Sequence, residues 1–202
     1  MKKQLLLIVL LTGLVGFQSY AQLPEKAEDI SPLLVGESIP DVALKAPDGS
    51  DLQILDILNQ KPTVLLLYRG GWCPYCNIHL AEIQEAESEI IKLGYQIVAI
   101  SPDSYKNLQL SGEENKLSYN LYSDADGKLC KAMGIAFKAP DKYENMLFED
   151  SGGLNKGFLP VPSVFVTGTD GKILFEYINP EYKTRLSASL LVAVLKNLIT
   201  TN

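Results

Sequence analysis

The chain has 202 residues, 47% of them apolar and 21% charged, with 18 basic against 24 acidic residues and a formal net charge of −6. That length suits one well-buried core rather than two, and the composition excludes a disordered or low-complexity chain. An acidic balance without a basic stripe excludes a nucleic-acid surface and argues against docking on anionic lipid.

Residues 1–21 have the three-part layout of a secretory signal peptide: Lys2 and Lys3, an apolar run from Leu5 to Phe17, and a small-residue site, "SYA". The run is shorter than the ~20 residues of a spanning helix. We therefore expect export to the periplasm or another extracytoplasmic space, cleavage near Ala21, and no stable membrane insertion afterwards. Cleavage takes away two lysines and no acid, so 18 − 2 = 16 basic residues stand against 24 acidic ones, net −8.

Residues 22–35 read as an extended lead-in, because Pro24 and Pro32 interrupt any helix, and the domain proper as 36–202. "IPDVALKAPDGSDLQI" reads as a β-hairpin turning at "PDG", and "LDILNQ" as one helical turn. "TVLLLY" (63–68) is a continuous apolar run, which suits a strand buried on both faces. Leu80, Ile83, Ile90 and Leu93 then recur at helical spacing, so a helix is expected over 74–93, ended by Gly94. "YQIVAIS" (95–101) is the next buried strand, which completes a βαβ unit. A helix at 104–117, a strand at 119–123 and a short capped helix in "DADGKLCKAMGI" follow. Residues 138–160 read as irregular, with a short helix near 141–148. A β-hairpin around "TDG" and an apolar-faced helix at 187–199 close the chain. The fold class is α/β, with a mixed sheet.

Three cysteines are present: Cys73, Cys76 and Cys130. An odd number argues against a disulfide framework. A single histidine and no second C-x-x-C leave too few ligands for structural zinc. In "RGGWCPYC", Cys73 falls where the strand ends and the helix begins. The unpaired N–H groups of a helix's first turn favour a thiolate there. Pro74 fits the first helical position, where its missing N–H costs nothing. Cys76 follows three residues later on the same face, within reach of the first sulfur. Two thiols so placed can attack and resolve in turn. A structural bond is the alternative, but so small a ring constrains the unfolded chain little.

Among nearby residues, Arg69 could lower a thiolate's pKa or bind a peroxide oxygen. Trp72 could shield the pair or line a docking face, and Arg185 could reach the site. Tyr68 reads as core. His79 is expected on a solvated helix face, and Cys130 as a buried hydrophobe.

"YRGGWCPYC", "VGESIPDVAL", "IVAISPDSYKNL", "YSDADGKLCKAMGI" and "VPSVFVTGTDGKI" together resemble the thioredoxin-like superfamily. More closely, residues 36–199 are similar to the peroxiredoxin-like branch of the alkyl hydroperoxide reductase/thiol-specific antioxidant (AhpC/TSA) family. The resemblance implies a thioredoxin-like fold, a central mixed sheet flanked by helices with an N-terminal hairpin extension. It also implies that Pro162 is a cis-proline packed beside the C-x-x-C. The family's P-x-x-x-T-x-x-C motif falls on Arg69, Cys73 and Cys76, with its Cys on Cys76, and its later Arg falls on Pro162. A peroxiredoxin-like site would use Cys76 to attack and Cys73 to resolve. A thioredoxin-like site would reverse them, and both stay open here.

The expected activity is a thiol-dependent peroxidase acting on hydrogen peroxide or organic hydroperoxides. Its Cys73–Cys76 disulfide would be recycled by a thioredoxin-type donor, with Arg69, Trp72 and Pro162 against the substrate. The alternative is a thiol–disulfide oxidoreductase acting on client protein disulfides. Neither calls for a metal or an organic cofactor.

Overall fold

A computed structural model describes residues 22–114 and 116–201. The expected signal peptide, 1–21, lies outside the described residues. The elements in chain order are β1 (Ala43–Lys45), β2 (Asp51–Gln53), α1 (Ile54–Leu58), β3 (Thr63–Leu67), α2 (Pro74–Lys92), β4 (Gln96–Ser101), α3 (Tyr105–Glu114) and β5 (Asn120–Ser123). They continue with α4 (Lys128–Ala132), β6 (Ala136–Lys138), α5 (Glu144–Asp150), β7 (Phe158–Pro160), β8 (Ser163–Thr167), β9 (Ile173–Ile178) and α6 (Ala188–Thr201).

Seven strands form one mixed sheet in the order β2-β1-β5-β4-β3-β8-β9. The apolar runs of β3 and β4 lie side by side in parallel at its centre, joined through α2, with β5 parallel on the far side of β4. β8 runs antiparallel to β3, and β9 to β8. This is the mixed, helix-flanked sheet that the sequence led us to expect.

The alternation of β3 divides the core. Val64 and Leu66 face one cluster with Leu80, Ile83 and Ile90 of α2 and Leu191 and Leu195 of α6. Leu65 and Leu67 face the other, with Ile54 and Leu58 of α1 and Leu129 and Met133 around α4. A strand buried on both faces favours apolar residues, which is why Val64–Leu67 read as an unbroken run; the buried Thr63 at its start donates its hydroxyl to Lys61 O at 2.8 Å.

The lead-in makes one short 3₁₀ turn at Ala27–Asp29 and is otherwise extended. It is tied to the domain by Ser31 N–H on Gly134 O and Leu33 N–H on Met133 O. The stretch expected to be irregular, 138–160, holds α5 and β7, and β7 pairs antiparallel with β6 at its start in a separate two-stranded sheet. Each of those strands is three residues long, and they pair across the intervening α5. No helix among the described residues is long and apolar enough to cross a membrane.

Candidate active site

Strand β3 delivers Tyr68 and Arg69 to its C-terminal end, and the chain turns through Gly70 and Gly71 into α2. Gly70 sits at φ +139°, and a Cβ there would come within 2.5 Å of Trp72 Nε1 and 2.7 Å of Asp103 Oδ1. Only glycine lets the loop pass under the indole. Asp103, from the loop after β4, accepts the Gly71 N–H at 2.8 Å and the Ser101 hydroxyl at 3.0 Å. Burial pushes its carboxyl up to about 6.

Cys73 is the N-cap residue of α2, with extended φ and ψ, and Pro74 takes the first helical position. The strand-to-helix placement read from the sequence is therefore present. Both cysteines are 1% exposed, and all three thiols of the chain are free. The two sulfurs of the pair differ in environment. A hydrogen bond from the Cys76 thiol outweighs burial at Cys73. Helped by the Cys76 N–H and the charges of Arg69 and Arg185, it brings the Cys73 thiol down to about 6. Burial pushes the Cys76 thiol well up, and the neighbouring Cys73 sulfur adds to this. Of the two, Cys73 is the sulfur favoured as thiolate and Cys76 the one favoured as thiol.

Arg185, from the loop between β9 and α6, donates from Nη2 to Cys76 Sγ at 3.5 Å. This loop and the first residue of α6 are bound to α2 at two further points. His79 Nε2 meets Leu186 O at 3.0 Å, and Glu82 Oε1 accepts the Ala188 N–H at 2.8 Å. A carbonyl oxygen only accepts, so Nε2 carries the proton. Burial first, then the Arg185 charge, brings the His79 imidazole down to about 4. His79 is 7% exposed, which corrects the expectation of a solvated helix histidine: its i+3 spacing from Cys76 turns it toward α6.

Arg69 is 5% exposed. Its guanidinium lies over the rings of Tyr182 at 4.3 Å, Trp72 at 4.9 Å and Tyr143 at 5.4 Å. Trp72 in turn packs on Tyr143 with ring centroids 5.2 Å apart. Burial opposes ionisation of Tyr143, but a hydrogen bond from Arg69 and the charges of Arg69 and Lys142 hold its phenol below the ordinary value. Tyr143 and Tyr182 were not singled out in the sequence, since neither lies near the C-x-x-C along the chain.

Pro162 lies just before β8 and lines a cleft of about 710 Å³ together with Arg69, Tyr143 and Tyr182. The expected cis bond is not there: among the described residues every peptide bond is trans. Pro162 occupies the position before the first paired residue of β8, where the ladder asks for no N–H. A trans bond satisfies that position, so the proline needs no cis geometry to enter the sheet. Tyr68 and Cys130 are buried, as read, with the Cys130 thiol pushed up by burial and by the Asp124 charge.

Together these features define a thioredoxin-type fold carrying a dithiol at the start of a helix. The AhpC/TSA family model matches residues 35–175, and the chain belongs to that family. Among curated relatives, Peroxiredoxin Bcp of Escherichia coli strain K12 is 23% identical over 156 residues, 77% of this chain and 90% of that protein. Peroxidoxin BcpB of Mycobacterium tuberculosis superposes with a TM-score of 0.65 at 21% identity, covering 83% of this chain and 97% of that one. Peroxiredoxin 6 of Arenicola marina superposes with a TM-score of 0.70 at 21% identity, covering 84% and 74%. Similarity at this level supports the fold.

Proposed function

We propose that the chain is a thiol-dependent peroxidase in which the Cys73 thiolate attacks the peroxide and Cys76 resolves. The observation that carries this is the placement of Cys73 as the N-cap of α2 with Cys76 in the first turn, an arrangement in which the Cys73 thiol is lowered and the Cys76 thiol raised. Family membership and the peroxiredoxin names of its relatives support the same reaction. The Cys73 thiolate displaces alkoxide or hydroxide from the O–O bond and becomes a sulfenic acid, and the leaving oxygen takes up a proton. The Cys76 sulfur then attacks the Cys73 sulfur, forming the disulfide and releasing water. Arg185, already on Cys76 Sγ, stabilises the thiolate that Cys76 must become in this second step. A thioredoxin-type dithiol returns two electrons and two protons.

The burial of both sulfurs favours a peroxide over a client protein. A hydroperoxide group is small enough to reach a thiol that is 1% exposed, whereas attack on a protein disulfide needs the reduced sulfur at the surface. The layout of residues 1–21 supports export, with the reaction taking place outside the cytoplasm. The test is trapping. Reduced Cys76→Ser protein treated with one equivalent of hydrogen peroxide and dimedone should carry the adduct on Cys73. No adduct, together with rapid mixed-disulfide formation with a protein carrying scrambled disulfides, one client sulfur leaving as thiolate, would establish the oxidoreductase instead.

A further inference from the structure

The cleft lined by Arg69 holds a buried cation that no described carboxylate pairs; its charge acts on the Cys73 sulfur, which does not line the cleft. Among the described residues no carboxylate lies within ion-pair distance of the Arg69 guanidinium. The three rings cover its faces, one hydrogen bond goes to the Tyr143 phenol, and its Nε is buried without a hydrogen-bond partner. Ring quadrupoles compensate part of the cost of burying a charge, but they accept no N–H bonds. The guanidinium fork is a planar multiple donor shaped for a carboxylate.

The other charges around the cleft cancel. Lys138 pairs with Glu25 at 3.1 Å, and Lys26 and Lys142 are matched by Glu28 and Asp141. Among the lining residues Arg69 is the surplus, which suits one negative charge and disfavours a dianion such as phosphate. The remaining wall is apolar, built from Phe137, Val161 and four prolines, and its volume is that of a small-molecule site.

We propose that this cleft binds a small organic monocarboxylate, its carboxylate on Arg69 and its apolar body along Phe137, Val161 and the prolines. This goes beyond the peroxidase reading and does not require it, because binding is measured without turnover. The carboxylate has two natural sources, a hydroperoxy acid as oxidant or a thiol acid as reductant, and both would be brought to the arginine whose charge acts on Cys73.

Octanoate is the probe, added to the full-length reduced protein. Trp72, the only tryptophan of the chain, reports occupancy because its ring contacts both Arg69 and Tyr143. We expect a saturable fluorescence change with octanoate, binding at least about tenfold tighter than that of octanol, and a loss of that preference in Arg69→Met, since a charged hydrogen bond contributes on this order. No saturation, or equal affinity for octanol in the unmodified protein, overturns the proposal, whether or not the variant folds. So does an Arg69→Met protein that folds and keeps the preference.

Two arms then separate the sources. In the first, mercapto-octanoate and mercapto-octanol reduce the Cys73–Cys76 disulfide, two ligand thiols becoming one ligand disulfide as the protein takes up two electrons and two protons. In the second, the hydroperoxy acid and the hydroperoxy alcohol oxidise the dithiol, giving hydroxy product and water. An acid advantage confined to the first arm makes the ligand the reductant, and one confined to the second makes it the oxidant. An advantage in neither contradicts a ligand held on Arg69 within reach of Cys73.

Discussion

Replacing Cys76 with alanine removes the thiol that donates to the Cys73 sulfur, the largest cause of the low pKa there. A hydrogen bond to a charged group contributes about 1.5–3 kcal/mol, so the Cys73 midpoint should climb from about 6 to between about 7 and about 8. Cys76→Ser keeps a hydroxyl donor at the same position and should stay nearer the parent value. The assay is the rate of iodoacetamide alkylation of reduced protein against pH, with the modified cysteine identified by mass spectrometry. Cys130 does not interfere, because it is buried with its thiol pushed well up. The unmodified protein should alkylate at Cys73 with a midpoint far below the ~8.5 of a free thiol. Alkylation first at Cys76, or a Cys73 midpoint unchanged by Cys76→Ala, would refute the reading that Cys76 favours the thiolate on Cys73.

Arg185→Met removes the donor on Cys76 Sγ. It should slow disulfide closure by about tenfold to a hundredfold while leaving sulfenate formation less affected, as followed by the second phase of oxidation. His79 is neutral in the fold, with its pKa lowered from 6.5 to about 4, so its contribution is complete above pH 6.5 and lost as pH falls toward 4. Urea titrations of His79→Gln should lack that loss, so relative to the variant the unmodified protein should lose about 3 kcal/mol over the window; parallel stability curves would contradict it. Gly70→Ala places a Cβ against Trp72 and Asp103 at positive φ and should cost about 1–3 kcal/mol with a shifted Trp emission. An unchanged spectrum and midpoint would show that the loop has room.

The parts of the fold visible in the sequence were those with a local cause. β3 and β4 are buried on both faces and so read as apolar runs, and α2 carries its core residues at helical spacing. β6 and β7 left no such trace: three residues show no periodicity, and their pairing joins Ala136 to Pro160 across a helix. The dithiol was legible because strand, cysteine, proline and helix follow one another along the chain. The Arg69 stack was not, since Tyr143 and Tyr182 arrive from α5's entry and from the loop after β9. Arg185 was noted as able to reach the site, but only the docking of its loop on α2 through His79 and Glu82 puts it on Cys76. The cis-proline expectation failed because it came from resemblance alone; no local feature of "VPS" requires that geometry.

The central claim is that Cys73 reduces a peroxide. Stopped-flow fluorescence of Trp72, with hydrogen peroxide mixed against reduced unmodified, Cys73→Ser and Cys76→Ser proteins, tests it most directly. The account predicts a fast second-order phase, well above that of a free thiolate, kept in Cys76→Ser and abolished in Cys73→Ser. A rate no faster than a free thiolate's, or a fast phase lost only in Cys76→Ser, would contradict it.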